Sequence, residues 1–374
     1  MRAWGLPLVG LALPCAGGFS VSSGRRCGGT AAFPPSPPTW LVPASRGCRR
    51  LQYTGGGSGS AGEGEGADDH MDGRPMDNAK DHMVSALSGN GEVVVKAVTA
   101  RHLVQEALVR QDLRPLAADA LGRAMVCTLL CASGLKDKET FQLVFSGNGP
   151  LNGVVSISDG EGGVRGYVGN GRAELPLNAN GRADVAGGIG KGVLKVVRNH
   201  PDYDRPYNGI VALRSGEVAY DVAGYLSDSE QKSCAVAAGV NVQGALVRQA
   251  GGYLVETLPG ASTETQQALL ESLTRVLAQS QDPTELLQGG LTPVGLAEAL
   301  LGGLGGVGSL SVTQPEYKCH CSGERVFRAL RLLGKDEVTD MVSKGEPVEV
   351  KCEFCGMLYS LSPQEIVEEL QLDV

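Results

Sequence analysis

The feature that most constrains this chain is a group of four cysteines near its carboxyl end. They form two short hooks, Cys319-His320-Cys321 and Cys352-Glu353-Phe354-Cys355. Each hook can aim two sulfurs at one point, and zinc binds four thiolates at tetrahedral corners about 2.3 Å away. The segment between the hooks, 322–351, exceeds the roughly 15–20 residues usual in paired-hook sites and has room for a helix. The sequence therefore predicts one zinc site formed by Cys319, Cys321, Cys352 and Cys355, with His320 beside the metal and not bound to it.

The same four thiols can also be oxidised. Residues two or three positions apart can reach the Cα separation of about 4.4–6.8 Å that a disulfide needs. Pairing within each hook, Cys319 with Cys321 and Cys352 with Cys355, closes the shortest loops and is favoured entropically. Oxidation would then expel the metal and unfold the small domain around it, because bound zinc contributes roughly 10–16 kcal/mol in zinc-folded peptides. The hooks alone leave three roles open: a structural zinc knuckle, a redox switch and a dithiol oxidoreductase.

Composition limits the partners of the chain. Its formal net charge of −8 argues against nucleic acid as a partner, because phosphate binding uses clustered Lys and Arg. No segment of the mature chain approaches the roughly 18 uninterrupted apolar residues of a membrane span, so we expect no membrane partner. Ten cysteines in 374 residues are too few for a disulfide scaffold. Because thiols that hold a metal must stay reduced, the sequence favours a reducing compartment.

The amino-terminal segment has the composition of a targeting sequence. Residues 1–62 contain no Asp or Glu but several Arg, as transit peptides do. The short apolar stretch from Leu6 to Leu13 resembles the hydrophobic region of a secretory signal, so the two parts together predict a plastid presequence, with a mitochondrial one as the alternative. A glycine-rich flexible tract, 55–66, follows. We expect residues 1–77 to be presequence and disordered linker, carrying Cys15, Cys27 and Cys48.

Residues 78–261 are predicted to form an α+β core domain. Residues 92–98 have the β-branched density of a strand, and a helix begins near Pro115 and stops at Gly134. Cys127 and Cys131 lie four apart on the apolar stripe of this helix and are expected to be packed core thiols. Glycine-punctuated strands follow and predict an antiparallel-rich sheet; they are 141–145, 154–157, 164–168, 192–197 and 209–213. The run 187–192 looks like a phosphate loop but lacks its spacing, so a turn is expected there.

The chain becomes helical after Pro259-Gly260. Thr263 and Gln266 have the spacing of a capping box, which predicts the start of a helix. Thr292 and Pro293 predict the start of a further helix, and the glycine cluster 302–306 after it indicates a hinge. These signals predict an amphipathic helical linker over 262–315, whose apolar faces need a partner. The small zinc-binding domain then occupies 316–374.

Five sequence fragments, taken in order, resemble one family. They are RGYVGN (165–170), YLSDSEQ (225–231), AGGYLVETLPGA (250–261), CHCSGERVFRALRLLG (319–334) and VEVKCEFCGMLYSLS (348–362). Together with the cysteine quartet they make the chain, over about 85–374, similar to the heat shock protein 33 family of redox-regulated holdase chaperones. The resemblance implies an α+β core, a helical linker and a zinc domain whose ligands match Cys319, Cys321, Cys352 and Cys355.

The resemblance also implies a mechanism. The reduced, zinc-bound form, with one zinc per chain, would be inactive. Peroxide with mild unfolding, or hypochlorous acid, would oxidise the cysteines to the two disulfides Cys319-Cys321 and Cys352-Cys355, release zinc and unfold the zinc domain and linker. Cys352 and Cys355 are expected to be the more oxidant-sensitive pair. The oxidised form would dimerise, hold unfolding client proteins without ATP or enzymatic turnover, and pass them to ATP-driven chaperones.

Further residues and two rival functions stay open at this stage. Tyr225, Ser229-Glu230-Gln231 and Gly251-Gly252 are expected to serve packing or turns, and Cys234 to be buried. A thiol-disulfide oxidoreductase using Cys352 and Cys355 would need metal-free cysteines with a lowered thiol pKa. A constitutive zinc-binding interaction module would bind its partner whatever its oxidation state. The long helical linker favours a switch over both.

Overall fold

The computed structural model describes residues 80–136, 138–280 and 282–372. The predicted presequence and flexible tract, and with them Cys15, Cys27 and Cys48, lie outside the described residues. Folded structure was predicted to start near residue 78, and the first strand begins at Met83. The described chain divides into two compact units. The first contains residues 81–322 and 352–357, and the second contains residues 323–351 and 358–372.

The first unit combines strands and helices. Its strands are β1 (Met83–Ser88), β2 (Val93–Thr99), β3 (Thr140–Gly147), β4 (Val154–Asp159), β5 (Gly163–Val168), β6 (Gly192–Asn199), β7 (Tyr207–Ala212), β8 (Cys234–Gln243), β9 (Leu246–Thr257), β10 (Val307–Thr313) and β11 (Glu316–Tyr317). Its helices are α1 (Arg101–Gln111), α2 (Pro115–Ala132), α3 (Val185–Ile189), α4 (Val218–Asp228), α5 (Thr263–Leu277), α6 (Pro283–Gln288) and α7 (Pro293–Leu301). The predicted α+β class is confirmed.

The strands form two sheets. The first sheet has the order β10-β1-β2-β9-β8 and the second the order β11-β5-β4-β3-β6-β7. All neighbours are antiparallel except β11, which runs parallel to β5. Along β2, Val93, Val95 and Ala97 are buried at every second position, which is the period of a strand with one face on the core. The antiparallel pairing is what the glycine-punctuated strands predict.

Helix α2 is the core of the first unit. It contacts strands of both sheets, including β4 and β8. By length and hydropathy α2 could cross a membrane, but most of it is buried inside the fold, as in the central helix of a globular domain. Cys127 and Cys131 pack in this core, as predicted. Burial raises the pKa of Cys131 to about 12, so this thiol stays protonated and unreactive at neutral pH.

The segment predicted as a helical linker contains three α-helices and ends differently from the prediction. Ser262 is the N-cap of α5, its hydroxyl accepting from the backbone of Thr265. The predicted cap at Thr263 is therefore wrong by one position, because Ser262 has the extended backbone that a cap requires. Thr292 caps α7 as predicted. Residues 307–313 form strand β10, paired with β1, where the sequence predicts no strand. The domain limits themselves stay a prediction.

The short helices α6 and α7 pack on the first sheet. Helix α6 contacts β9 and β8, and α7 contacts β2 and β1. Leu286 of α6 and Leu296 of α7 are buried there. Leu287 of α6 packs against Gly251 of β9, where a Cβ would lie only 2.5 Å from the Leu287 Cδ1 atom. The apolar faces of these helices are thus partnered by the core domain.

The second unit is small and has its own core. Its elements are α8 (Gly323–Arg331), α9 (Lys335–Ser343), β12 (Val348–Lys351), β13 (Leu358–Leu361) and α10 (Pro363–Leu370). The segment between the cysteine hooks therefore contains two helices and a strand, where the sequence suggested room for one helix. The core consists of Val326, Leu330, Val338, Val342, Val350, Leu361 and Ile366. A domain with so few buried side chains usually needs a metal, a disulfide or a partner to stay folded.

The family landmark Tyr225 is a packing residue, as predicted. It lies on α4, is fully buried, and belongs to the main core. Gly209 of β7 lies against its ring, and a Cβ added at Gly209 would stand 2.6 Å from Cε2 and 2.8 Å from the hydroxyl oxygen of Tyr225. A rigid ring cannot yield to such a contact without moving the helix or the strand.

We predict that Gly209→Ala lowers the free energy of unfolding by about 1–3 kcal/mol, because the new methyl overlaps the Tyr225 ring. Urea denaturation monitored by circular dichroism measures the change. Gly302→Ala is the matched control: Gly302 has open space around its Cα and a helical φ of −55°, so its substitution should be neutral or mildly stabilising. Equal unfolding midpoints for the two variants would contradict the packing account.

Candidate metal centre

The first cysteine hook is positioned by the short strand β11. Its backbone pairs with β5 at the edge of the second sheet: the Glu316 amide donates to the Gly162 carbonyl at 3.0 Å, and the Lys318 amide to the Val164 carbonyl at 2.9 Å. Cys319 is the next residue after this second bond. The sheet edge therefore fixes the backbone from which Cys319 and Cys321 project.

The second hook is a tight turn closed on itself. The Cys352 amide donates to the Met357 carbonyl, and the Gly356 amide donates to the Cys352 carbonyl, each at 2.8 Å. Gly356 has a φ of +72°, a left-handed conformation that glycine adopts without steric cost. The glycine that follows the second hook in sequence is thus what lets the turn close and bring Cys352 and Cys355 to one side.

The structure brings the four predicted cysteines together. All four Sγ atoms lie within 4.8 Å of one another. Two close contacts join the hooks: the Sγ atoms of Cys319 and Cys352 lie 3.7 Å apart, and those of Cys321 and Cys355 lie 3.4 Å apart. Four thiolates about 2.3 Å from one tetrahedral ion would stand about 3.8 Å apart. The donor set and its spacing therefore fit a single metal ion, with all-sulfur ligation of the kind that zinc accepts.

Burial controls the protonation of the second hook. Cys355 is only 8% exposed, and the other three cysteines are half-buried. Burial raises the pKa of the Cys355 thiol well above its ordinary value, and raises that of Cys352 in the same direction. Metal-free, these groups are neutral thiols at neutral pH and poor nucleophiles. This direction is opposite to the lowered thiol pKa that the oxidoreductase alternative needs.

The main chain of the second hook is tied to the core domain through Phe354. Its carbonyl oxygen accepts from the Gln111 side-chain amide at 2.8 Å and from the Tyr317 hydroxyl. The same two donors also reach the Gly166 carbonyl of β5, at 2.7 Å and 3.2 Å. Gln111, the last residue of α1, and Tyr317, of β11, thus bridge the hook to the sheet edge.

The Phe354 side chain is held as well. Its ring meets the Tyr167 ring edge-on, with centroids 5.1 Å apart and planes at 90°. The Arg165 guanidinium lies 5.3 Å from the Phe354 ring centroid, and Arg110 lies 5.5 Å from that of Tyr317. Aromatic pairs of this kind contribute about 0.5–1.5 kcal/mol beyond burial, and cation–π contacts about 0.5–1 kcal/mol.

The sequence did not indicate the roles of Gln111, Tyr317 and Phe354. The last two stand next to or within the hooks, and Arg165 and Tyr167 belong to the fragment RGYVGN. The aromatic residues in those fragments were the available signal. Gln111 had none, because its partner Phe354 is remote in sequence and a single polar residue at a helix end is unremarkable.

We predict that Tyr317→Phe speeds release of bound metal to a chelator by roughly fivefold, because it removes one hydrogen bond worth about 1 kcal/mol to the hook. The ring under Arg110 and all four cysteines remain, so metal content at equilibrium should stay at the wild-type level. Stopped-flow chelator absorbance measures the rate. Tyr203→Phe, at an exposed tyrosine outside this site, is the control; identical rates for both variants would show that the hydroxyl does not restrain the hook.

Comparison with known proteins agrees with this architecture. The profile of the family described as Hsp33 protein matches residues 81–362. A 33 kDa chaperonin of Gloeothece citriformis is 39% identical over 293 residues, covering 78% of this chain and 97% of the relative. One of Limosilactobacillus fermentum is 38% identical over 290 residues, covering 77% of this chain and 97% of the relative.

A solved structure shows the same fold. The crystal structure of a 33 kDa chaperonin from Thermotoga maritima, described as a heat shock protein 33 homologue, superposes with a TM-score of 0.72 and 35% sequence identity. The match covers 78% of this chain and 97% of that one. Because the family profile spans most of the chain and the relatives are matched over nearly their whole length, this chain belongs to the Hsp33 protein family.

Proposed function

We propose that this chain is a chaperone that binds unfolding proteins without catalysing a reaction, and that oxidation of its four clustered cysteines turns this binding on. Membership of the Hsp33 family and the name 33 kDa chaperonin borne by its relatives support a chaperone. The observation that carries the regulatory part is the convergence of four sulfurs, from two hooks far apart in sequence, to within 4.8 Å.

In the reduced state, Cys319, Cys321, Cys352 and Cys355 would hold one zinc ion. When bound, the ion supplies four metal–thiolate bonds that cross-link the hooks and favour the thiolate form of each cysteine. Residues 323–351 begin after the first hook and end before the second. Cross-linking the hooks therefore closes this segment as a loop, which stabilises a unit whose own apolar core is small.

Oxidation removes the metal ligands. The two thiolates of one hook lose two electrons and form one disulfide, while hydrogen peroxide accepts those electrons together with two protons from solvent and becomes two molecules of water. A sulfur in a disulfide is no longer a thiolate donor, so two such reactions leave the hooks unable to hold the ion. Pairing within hooks also reopens the loop 322–351. The cross-hook contacts seen here, if oxidised, would keep that loop closed.

The proposal also includes a change in the helices that precede the hooks. Helices α6 and α7 cover part of the first sheet with Leu286 and Leu296. We propose that these helices loosen when the cysteines are oxidised and expose the apolar surface that they cover, a step that family membership supports. Dimerisation of the oxidised form and transfer of clients to ATP-driven chaperones are parts of the same proposal, supported by family membership.

The two rival functions have less support. An oxidoreductase needs a reactive thiolate, whereas burial raises the pKa of both thiols of the C-x-x-C hook. A constitutive zinc module needs no helices packed on its neighbour domain. Here the helices α5, α6 and α7 precede the hooks in the chain, and α6 and α7 pack on the first sheet.

We predict that the full chain, reduced and zinc-loaded, does not suppress aggregation of a heat-unfolded client enzyme, and that it does so after peroxide treatment at raised temperature. Light scattering follows aggregation, and a chromogenic chelator follows zinc in parallel. Suppression should appear only as one zinc per chain is lost. Cys234→Ser, outside the quartet, should behave as wild type. Zinc that stays bound, or suppression that is indifferent to oxidation, would sink the regulatory proposal.

We also predict that the disulfides form within the hooks, because the short loops are favoured entropically, and that Cys352–Cys355 appears first, as the family analogy implies. Trypsin cleavage after Lys318 and Lys351 places the hooks on separate peptides. Mass spectrometry without reductant should then find each peptide unlinked and lighter than its reduced form by the mass of about two hydrogens. Peptides joined to each other would mean cross-hook pairing and would contradict the loop-opening step.

A further inference from the structure

The second sheet has an apolar face that looks away from α2, which we call the outer face. A Cβ added at Gly166 of β5 would lie 2.8 Å from the Leu121 Cδ1 atom of α2, so Gly166 faces this helix. Because successive residues of a strand point to opposite faces, Tyr167 points away from α2. A row in register crosses the strands β5, β4, β3, β6 and β7, and consists of Tyr167, Val155, Val144, Lys195 and Ile210. At about 4.8 Å between strands, this row is about 19 Å long.

One end of this row is occupied and the other is open. At the β5 end, the Phe354 ring stands on Tyr167, with Arg165 against its face. At the β7 end, Ile210 is 64% exposed, and the neighbouring Val193 of β6 is 38% exposed. Single exposed apolar side chains are common on protein surfaces, but contiguous exposed apolar patches are not, and such patches are characteristic of binding surfaces.

The occupant of the β5 end shows what this face can bind. Phe354 offers an aromatic ring, and it follows an acidic residue, Glu353. The Arg165 guanidinium lies 5.3 Å from the Phe354 ring centroid, on the side of the hook that carries this residue pair. Arg165 and Lys195 give the face positive charge. An aromatic residue with an acidic neighbour is therefore complementary to it.

We propose that the outer face binds extended, unfolded client segments that carry an aromatic residue beside an acidic one, and that Phe354 occupies the first position of this site while the metal centre is intact. The proposal rests on the proposed chaperone function and assigns its binding surface. The position of the Phe354 ring depends on the second hook, because Phe354 lies between Cys352 and Cys355. Gln111 and Tyr317 hold its carbonyl oxygen while the hook has this conformation. Rearrangement of Cys352–Cys355 on oxidation would withdraw Phe354 and complete the site.

A second copy of the chain is the less favourable occupant. In a symmetric dimer the same face meets itself, so two surfaces that both carry the positive charges of Lys195 and Arg165 oppose each other. Such like-charge contacts are unfavourable. An unfolded chain has no such restriction, because a segment of suitable sequence can settle in the register that fits.

The first test measures binding of a fluorescent, reduced and alkylated protein that stays unfolded in buffer. Fluorescence anisotropy gives its dissociation constant with the oxidised full chain. Ile210→Asp should weaken binding by about tenfold, a change of about 1.4 kcal/mol. Leu177→Asp is the matched control: Leu177 is 66% exposed and lies in no strand, so binding should be unchanged.

The second test uses the reduced, zinc-loaded chain. Phe354→Ala should bind the same unfolded protein at least severalfold more tightly than reduced wild type, while still holding one zinc per chain by chelator titration. Gln111→Ala removes one hydrogen bond to the Phe354 carbonyl but leaves the four cysteines and the outer face unchanged, and it should shift binding in the same direction. No gain in either variant with zinc retained would overturn the role of Phe354.

The outcomes separate this proposal from the one it rests on. If oxidised wild type does not bind the unfolded protein, the chaperone function fails and this proposal with it. If oxidised wild type binds and Ile210→Asp binds equally well, the outer face is not the client site, although the function stands. If Ile210→Asp abolishes dimers in light scattering but leaves client affinity unchanged, a second copy is the occupant and the proposal is overturned.

Discussion

The convergence of four cysteine sulfurs is the interaction on which the rest of this structure depends. A metal ion held by all four thiolates would be the strongest restraint available to the small unit, roughly 10–16 kcal/mol for a structural zinc site. Both hooks are prepared for it by the backbone, one by a sheet edge and the other by a turn that closes through Gly356. The segment between them, by contrast, contributes few buried side chains. If a metal cross-links the hooks, a small unit with so small a core would be stable only while that cross-link lasts.

The contacts around Phe354 act on a smaller energy scale. A hydrogen bond is worth about 1 kcal/mol net, and an aromatic pair about 0.5–1.5 kcal/mol. Gln111, Tyr317, Tyr167 and Arg165 together therefore cannot replace the metal. They can, however, decide where the second hook lies while the metal is bound. Under the proposed function, this division would let the cysteines control stability while the contacts around Phe354 link the second hook to the core domain.

The sequence predicted what is periodic or local. The cysteine hooks, the apolar helix α2 and the β-branched strands of the second sheet all have short-range patterns, and the structure has each of them. Strand β10 was missed because it follows a glycine cluster and only pairing with β1 makes its alternation meaningful. The N-cap of α5 was missed by one residue because Ser262 and Thr263 are chemically similar. The role of Gln111 could not be predicted from the sequence, because it depends on Phe354, which only the fold brings close to Gln111.

Burial of the second hook also bears on the proposed redox switch, in which the metal-bound form would be the one that oxidant attacks. Without a cation, burial raises the pKa of Cys352 and Cys355, and protonated thiols react slowly with peroxide. Bound to a cation, the same groups are thiolates, the form that peroxide attacks. Access is then the remaining barrier, because Cys355 is only 8% exposed. A mild loosening of the fold would lower that barrier, so heat and oxidant should act together, each supplying what the other lacks.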